Sequence, residues 1–215
     1  MGKLLAVILS VLSVAGCGNT ADVSTSVVSS QPVESVSEST SSEETADIST
    51  DTSDGKTLVV YFSNTGNTKR TAEIIADYTG ADIFEIEAKE PYTAEDLNYN
   101  DSSSRVSKEN SDSSARPEIK ENIQDLDQYD TIFVGYPIWW GQAPKIMYTL
   151  METNDFSGKT IIPFCTSASS GIGTSAENLS KSAPDSVWKD GQRFSGSSSE
   201  DDIKSWVDSV YDKTE

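Results

Sequence analysis

One stretch of the chain constrains its fold more than any other: an unbroken apolar run that ends abruptly in a polar loop. Residues 58–62 read Leu-Val-Val-Tyr-Phe, which is typical of a strand buried on both faces of a parallel sheet. Residues 63–68, Ser-Asn-Thr-Gly-Asn-Thr, follow at once, and then Ala72, Ile75 and Ala76 recur at helical spacing. The sequence therefore predicts a strand, a tight loop and a helix.

The polar loop has the composition of a binding site for a monophosphate. The first N–H groups of a helix have no partner within it and lie at the positive end of its dipole. A nucleoside triphosphate fits poorly, because no Gly-Lys-Ser/Thr sequence closes the loop. An ordinary turn with helix-capping residues is the alternative. Hydroxyl groups, amides and one flexible glycine make up the candidate ligands, which are Ser63, Asn64, Thr65, Gly66, Asn67 and Thr68.

A second loop carries two adjacent tryptophans. It follows the apolar run 131–135 and reads Tyr-Pro-Ile-Trp-Trp-Gly, with proline and glycine at its ends. Loops lie at the surface, and large flat side chains there suit stacking on a planar ligand. Packing of both rings over the sheet edge is the alternative. The candidate ligand-binding residues of this loop are Pro137, Ile138, Trp139, Trp140 and Gly141.

A third loop, rich in hydroxyl groups and glycine, follows the apolar run 160–165. Gly171, Gly173 and Ala176 formally fit the Gly-x-Gly-x-x-Gly/Ala fingerprint of dinucleotide folds. That fingerprint belongs in the first tight strand-to-helix turn, so we discount the match. A plain surface loop remains the alternative. The candidate binding residues here are Thr166, Ser167, Ala168, Gly171 and Gly173.

Strands and helices alternate along the chain, which predicts an α/β fold: a doubly wound parallel sheet of five strands with helices on both faces. Residues 82–87 predict a strand at the sheet edge, and a short fifth strand or hairpin is expected around Asp190. Helices are predicted within residues 93–109, after Pro144 and around Trp206. Because all three polar loops follow strands, they should gather at one edge of the sheet.

In its three loops the chain resembles the flavodoxin-like family, and the resemblance extends over essentially all of residues 56–212. Residues 63–68 are similar to the Thr/Ser-x-Thr-Gly-x-Thr loop that holds the phosphate of flavin mononucleotide (FMN) in that family. The resemblance implies FMN as the cofactor. It further implies that residues 137–141 cover the flavin ring, with Trp139 or Trp140 stacked on it, and that residues 166–173 meet the polar edge of the ring.

The resemblance implies an electron-transfer function, and two departures from small flavodoxins leave other functions open. The third loop lacks the tyrosine that stacks on the outer face of the ring, and the long 88–128 segment has no simple counterpart. An FMN-dependent NAD(P)H:quinone-type oxidoreductase is therefore the alternative function, and a non-redox binding protein is a further one. Stacked rings and nearby carboxylates are expected to lower the one-electron potential of the flavin.

The sequence contains no histidine, which excludes Ser-His and Cys-His nucleophilic catalysis and histidine-ligated metal sites. Of the two cysteines, Cys165 ends an apolar run and is predicted to be buried. No residue is assigned a catalytic role, because a bound cofactor must supply any redox chemistry.

The first 55 residues are predicted to lie outside the fold. Residues 1–16 have the layout of a secretory signal, and Val-Ala-Gly-Cys at 14–17 resembles the lipobox of bacterial lipoproteins, with Cys17 lipidated. A plain signal peptide and a retained anchor are the alternatives. Residues 17–55 have the composition of a disordered tether, and residues 56–215 are long enough for one domain, which the resemblance identifies as flavodoxin-like. We expect a lipid-anchored protein on the extracytoplasmic face of the cell membrane.

The chain is strongly acidic, with a formal net charge of −19. After Gly55 there are 15 Lys and Arg residues against 27 Asp and Glu residues, so the domain itself is acidic. This charge argues against nucleic acid as a partner. The expected partners are redox donor and acceptor proteins or a quinone-like small molecule.

Overall fold

The computed structural model describes residues 55–212. The predicted signal peptide, Cys17 and the predicted tether up to residue 54 lie outside the described residues. No helix within residues 55–212 is long and apolar enough to cross a membrane.

The described part of the chain is built on a single parallel sheet, which confirms the predicted α/β class. The strands lie in the order β2-β1-β3-β4-β5, and a further short strand, β6, also pairs with β4. Their bounds are β1 Lys56–Phe62, β2 Asp82–Ile86, β3 Tyr129–Pro137, β4 Thr160–Thr166, β5 Val187–Trp188 and β6 Gln192–Phe194.

The predicted fifth strand is present but interrupted. Strands β5 and β6 both run parallel to β4, so they are two pieces of one edge strand and the hairpin alternative is wrong. Gly191 lies in the interruption, where an added Cβ would approach the Pro163 carbonyl oxygen to 2.7 Å. The chain must therefore pass close to β4 at this point.

Within residues 55–212, five α-helices cover the two faces of the sheet. Their bounds are α1 Asn67–Thr79, α2 Arg105–Ser111, α3 Lys145–Thr153, α4 Ser175–Ser180 and α5 Glu200–Val210. Helices α1 and α5 pack on one face, while α3, α4 and the crossover between β2 and β3 pack on the other. Ser199 caps α5, since its Oγ accepts the Asp202 N–H at 3.1 Å.

The central strands are buried on both faces, as the apolar runs predicted. Along β1, Val60 and its alternate neighbours face the α3 side, whereas Val59 and Tyr61 face α1 and α5. Strand β2 lies at the edge, and Ile83 there is 44% exposed. This pattern is the reason why the strands read as continuous apolar runs and the edge strand does not.

The crossover contains less helix than predicted. Helix α2 begins only at Arg105, because Ser104 caps it by accepting the Ser107 N–H, and the preceding residues form turns held by aspartate side chains. Such local side-chain-to-backbone bonds compete with helix formation. Arg105 pairs with Glu109 at 2.7 Å, and Arg116 contacts Glu152 through two hydrogen bonds of 2.7 and 2.8 Å. Both arginines thus hold the crossover in place.

Candidate functional site

All three predicted loops meet at the carboxyl edge of the sheet, where they enclose a cavity of about 800 Å³. This volume lies in the range of small-molecule and cofactor sites. Ten of the predicted site residues line the cavity: Asn64, Thr65, Asn67, Thr68, Pro137, Ile138, Trp139, Thr166, Ser167 and Ala168.

The first loop leaves the start of helix α1 open. Gly66 occupies the N-cap position with a φ of +84°, and no side chain caps the helix. Its N–H donates to the Ser63 Oγ at 3.2 Å, so Ser63 shapes the turn and neither residue lines the cavity. The left-handed backbone conformation requires glycine here. An uncapped helix start flanked by amides and hydroxyls can accept an anion.

A buried hydrogen bond joins the first loop to the third. The hydroxyl groups of Thr68 and Thr166 lie 2.7 Å apart, and both side chains line the cavity. The two residues are 1% and 4% exposed, respectively. The bond therefore fixes the beginning of α1 against the end of β4, although 98 positions separate the two residues in the chain.

The two tryptophans occupy different environments. Trp139 lines the cavity, is only 7% exposed, and makes edge-to-face contacts with Phe62, Tyr92 and Tyr99 at centroid distances of 5.7, 5.6 and 6.2 Å. Trp140 does not line this cavity and is 43% exposed.

The turn between them accounts for the difference. Trp139 and Gln142 exchange two backbone hydrogen bonds of 2.9 Å, and the intervening Trp140 and Gly141 have φ values of +47° and +76°. A hairpin turn with two positive φ values, as in type I′ turns, turns the chain back within two residues. Of the two indoles that the sequence offered, the structure places Trp139 at the cavity.

Arg193 holds the third loop. Its guanidinium donates to the Ser167 Oγ at 3.1 Å and to the carbonyl oxygens of Ser167 and Ala168, both at 2.6 Å. Gly171 and Gly173, which the sequence also offered as site residues, do not line the cavity. The side chain of Cys165 is buried at the end of β4, as predicted, and burial raises the pKa of its thiol to about 12.

Two segments line the cavity that sequence reasoning did not identify. The crossover contributes Ala94, Leu97 and Tyr99, and the loop after β6 contributes Ser195, Gly196 and Ser197. The crossover residues gave no periodic signal. The hydroxyl-rich run 195–199 after a strand was a usable signal, since it repeats the pattern of the other loops.

The loop after β6 packs directly on the first loop. An added Cβ at Gly196 would lie 2.7 Å from the Asn67 Oδ1, and Arg70 donates to the Ser198 carbonyl at 3.0 Å. These contacts bring the hydroxyl groups of Ser195 and Ser197 to the same cavity as the start of α1.

None of the described residues that line the cavity has a charged side chain. The nearby carboxylates expected from the sequence are thus not among the lining residues. Hydroxyl groups, amides and an uncapped helix start face an aromatic wall formed by Trp139 and Tyr99. This set of donors fits a monophosphate at one end, and the wall fits a planar ring at the other.

Comparison with known proteins agrees with the observed fold and identifies a protein family that the chain matches. A family model described as flavodoxin matches residues 56–210. No curated protein sequence is significantly similar to the chain. Among solved structures, a candidate flavoprotein of Bacteroides eggerthii is 43% identical, with a TM-score of 0.70, and the match covers 74% of this chain and 99% of that chain. A candidate flavoprotein of Bacteroides uniformis is also 43% identical, with a TM-score of 0.69, and the match covers 72% of this chain and 98% of that chain.

A more distant solved structure shows the same fold. A flavoprotein of Lactobacillus acidophilus, solved in complex with FMN, is 23% identical, with a TM-score of 0.53, and the match covers 65% of this chain and 93% of that chain. The matching region makes up 99% and 98% of the two Bacteroides chains, so those proteins consist almost entirely of the flavodoxin-like region. A chain of residues 55–215 is therefore a suitable protein for experiments.

Proposed function

From the premise that the chain belongs to the flavodoxin family, we propose that it binds FMN in the cavity between the three loops and serves as an electron-transfer protein. One observation carries the proposal: the phosphate-type loop, Trp139 and the third loop, far apart in sequence, line a single cavity without charged side chains. The FMN complex of the Lactobacillus flavoprotein, which shares the fold, supports this choice of cofactor.

Each wall of the cavity has a distinct task in this proposal. The start of α1, with Thr65, Asn67 and Thr68, would hold the phosphate. Trp139 would cover the ring, and Thr166, Ser167 and Ala168 would meet its polar edge. When bound, FMN supplies the capacity to accept and release electrons.

The protein would influence the redox potential of the flavin mainly by excluding water from the cavity and by placing no positively charged side chain in its lining. Trp139 is fixed by three aromatic neighbours and limits solvent at one side of the cavity. Among the described residues, no lysine or arginine lines the cavity to neutralise a negative ring; the Arg193 guanidinium does not line it and donates to the carbonyl oxygens of Ser167 and Ala168. We therefore expect oxidised FMN to bind more tightly than reduced FMN.

The electron carrier and the oxidoreductase alternative differ in how much of the flavin ring must be accessible. The sequence argument for an enzyme was that the third loop offers no aromatic cover for the outer face of the ring. Tyr99, from the crossover, lines the cavity beside Trp139, and the two rings are in edge-to-face contact at 6.2 Å, so they belong to one wall and do not cover opposite faces of a ring. An enzyme needs an accessible ring face for its substrate, whereas a carrier needs only an exposed edge.

An absorption experiment tests the proposal. The chain 55–215 is mixed with FMN, freed of excess ligand, and reduced stepwise under nitrogen. A retained yellow protein that accepts electrons in two resolved phases, and does not oxidise NAD(P)H on its own, supports the carrier. Steady NAD(P)H oxidation in the presence of a quinone supports the oxidoreductase, and absence of bound flavin refutes both.

We further propose that Cys17 is lipidated and anchors the domain to the extracytoplasmic face of the cell membrane, where redox proteins or a quinone-like molecule would be its partners. The lipobox-like sequence at residues 14–17 supports this. Full-length protein expressed in a bacterium with radiolabelled palmitate should incorporate label and sediment with membranes. The Cys17→Ser variant should do neither, and a labelled or membrane-bound variant would contradict the proposal.

A further inference from the structure

A second cavity, of about 250 Å³, shares the Trp139 side chain with the first. Its walls come from α2, the tryptophan loop, the start of α3, and α4, and the function proposed above does not use it. We propose that this cavity binds a small planar aromatic molecule that carries an anionic oxygen, either a carboxylate or a phenolate. The inference goes beyond the proposed function, because such binding does not require the flavin.

Three aromatic side chains give the second cavity its preference for a flat ligand. Trp139, Trp140 and Tyr148 all line it. Trp140 is exposed, and its ring also lies 4.9 Å from that of Tyr99, which lines the flavin cavity. The φ of +47° at Trp140 is unfavourable for a bulky residue, and asparagine or glycine would fit this turn better. A strained backbone that presents an exposed indole beside a cavity is an indication of function.

The Lys145 ammonium and the Gln142 amide offer free hydrogen-bond donors to this cavity, whereas the Asn110 amide and the Tyr148 hydroxyl, which also line it, can donate or accept. The Lys145 ammonium lies 5.3 Å from the centroid of the Tyr148 ring, and no carboxylate within residues 55–212 forms an ion pair with it at 4 Å or less, although it attracts the Asp112 carboxylate at longer range. Gln142 accepts a hydrogen bond from Asn178 at 2.8 Å through its Oε1, and its Nε2 has no acceptor among the described residues. An unpaired ammonium and an unused amide donor favour an anionic oxygen.

The carboxylate in the lining does not counteract this preference. One oxygen of Glu109 accepts from the Arg105 Nε at 2.7 Å, and the other accepts from the Tyr92 hydroxyl at 2.8 Å. Its charge is thus balanced by the Arg105 guanidinium, which also stacks over the Tyr92 ring at 4.0 Å. Lys145 is left as the charged side chain in the lining that forms no ion pair within residues 55–212.

The size of the cavity sets the size of the ligand. A volume of 250 Å³ corresponds to about eight water molecules at about 30 Å³ each. This space suits one aromatic ring with one or two polar substituents, and it is too small for a flavin. A bound ring would lie against the same indole that lines the flavin cavity.

Calorimetric titration with 4-hydroxybenzoate tests the inference on the chain 55–215, both without flavin and with FMN. We expect saturable binding at one site, and weak binding of cyclohexanecarboxylate, which has the charge but not the aromatic ring. Lys145→Met removes the ammonium at similar length and should weaken binding about 10- to 100-fold, the usual effect of losing a hydrogen bond to a charged group. Trp140→Asn keeps the turn and should also weaken binding.

Lys108→Met is the matched control, since Lys108 is an exposed lysine of α2 that lines neither cavity. It should bind 4-hydroxybenzoate as the unmodified chain does. The inference would be overturned if 4-hydroxybenzoate did not saturate at millimolar concentration, or if the Lys145→Met and Lys108→Met proteins bound it with equal affinity. Displacement of 4-hydroxybenzoate by FMN would also overturn it. FMN is titrated separately into each protein: if FMN fails to bind while 4-hydroxybenzoate binds, only the proposed function is refuted.

Discussion

The hydrogen bond between Thr68 and Thr166 should couple the first and third loops energetically. Both hydroxyl groups are buried, lie 2.7 Å apart, and belong to side chains no more than 4% exposed. Replacing either threonine with valine keeps the shape but leaves the other hydroxyl without its partner, which typically costs about 1–3 kcal/mol. Replacing both removes the pair together and should cost much less than the sum of the two single changes.

A double-mutant cycle measures this coupling. Urea unfolding of flavin-free chain 55–215 gives the free energy of unfolding for the unmodified protein, the two single variants and the double variant. We expect each single variant to lose about 1–2 kcal/mol, equivalent to a fall of roughly 2–8 °C in Tm for a domain of this size. The double variant should be more stable than additivity predicts by about 1–2 kcal/mol.

Thr149 provides the control for the cycle. Its Oγ1 is buried in α3 and has no hydrogen-bond partner within the described residues, so Thr149→Val should be neutral or stabilising. Combined with Thr68→Val, on the helix that packs on the other face of the sheet, its effect should simply add. If the Thr68 and Thr166 changes also add within about 0.5 kcal/mol, the bond does not join the loops and the reasoning fails.

Three further predictions concern single residues. Gly66→Ala introduces no clash but forces alanine to a φ of +84°, so urea unfolding should show a loss of about 1–2 kcal/mol. Burial raises the pKa of the Cys165 thiol from 9.0 to about 12, so the unfolded chain loses this proton first as pH rises. The free energy of unfolding, measured in urea, should therefore fall by about 1.4 kcal/mol per pH unit between pH 9 and pH 12 because of this thiol. The Cys165→Ala variant should show a shallower fall over the same range. Arg193→Gln removes donors to Ser167 and Ala168, and FMN titration should show about tenfold weaker binding with little change in fold by circular dichroism; unchanged affinity would mean that the loop does not need Arg193.

The elements with strong local signals were predictable from the sequence. The central strands are continuous apolar runs because helices cover both of their faces, and the start of α3 after Pro144 follows the usual preference for proline at helix beginnings. The convergence of the three loops also followed from topology alone, since each loop comes after a parallel strand.

Features that depend on tertiary contacts were not predictable. Residue types could not tell Trp139 from Trp140, because only the positive φ values of the turn decide which indole reaches the cavity. Tyr99 lies in a crossover without periodicity, and its position depends on ring contacts with both tryptophans. The split of the edge strand at Gly191 arises from close approach to β4.

Equilibrium titration of FMN and riboflavin into the chain 55–215, followed by flavin fluorescence, tests the central claim most directly. If the start of α1 holds a phosphate beside Trp139, FMN should bind one to one with quenched fluorescence. Riboflavin, which lacks the phosphate, should bind at least about tenfold more weakly, since charge-assisted hydrogen bonds are lost. Absence of saturable quenching by FMN, or equal affinity for the two flavins, would contradict the account.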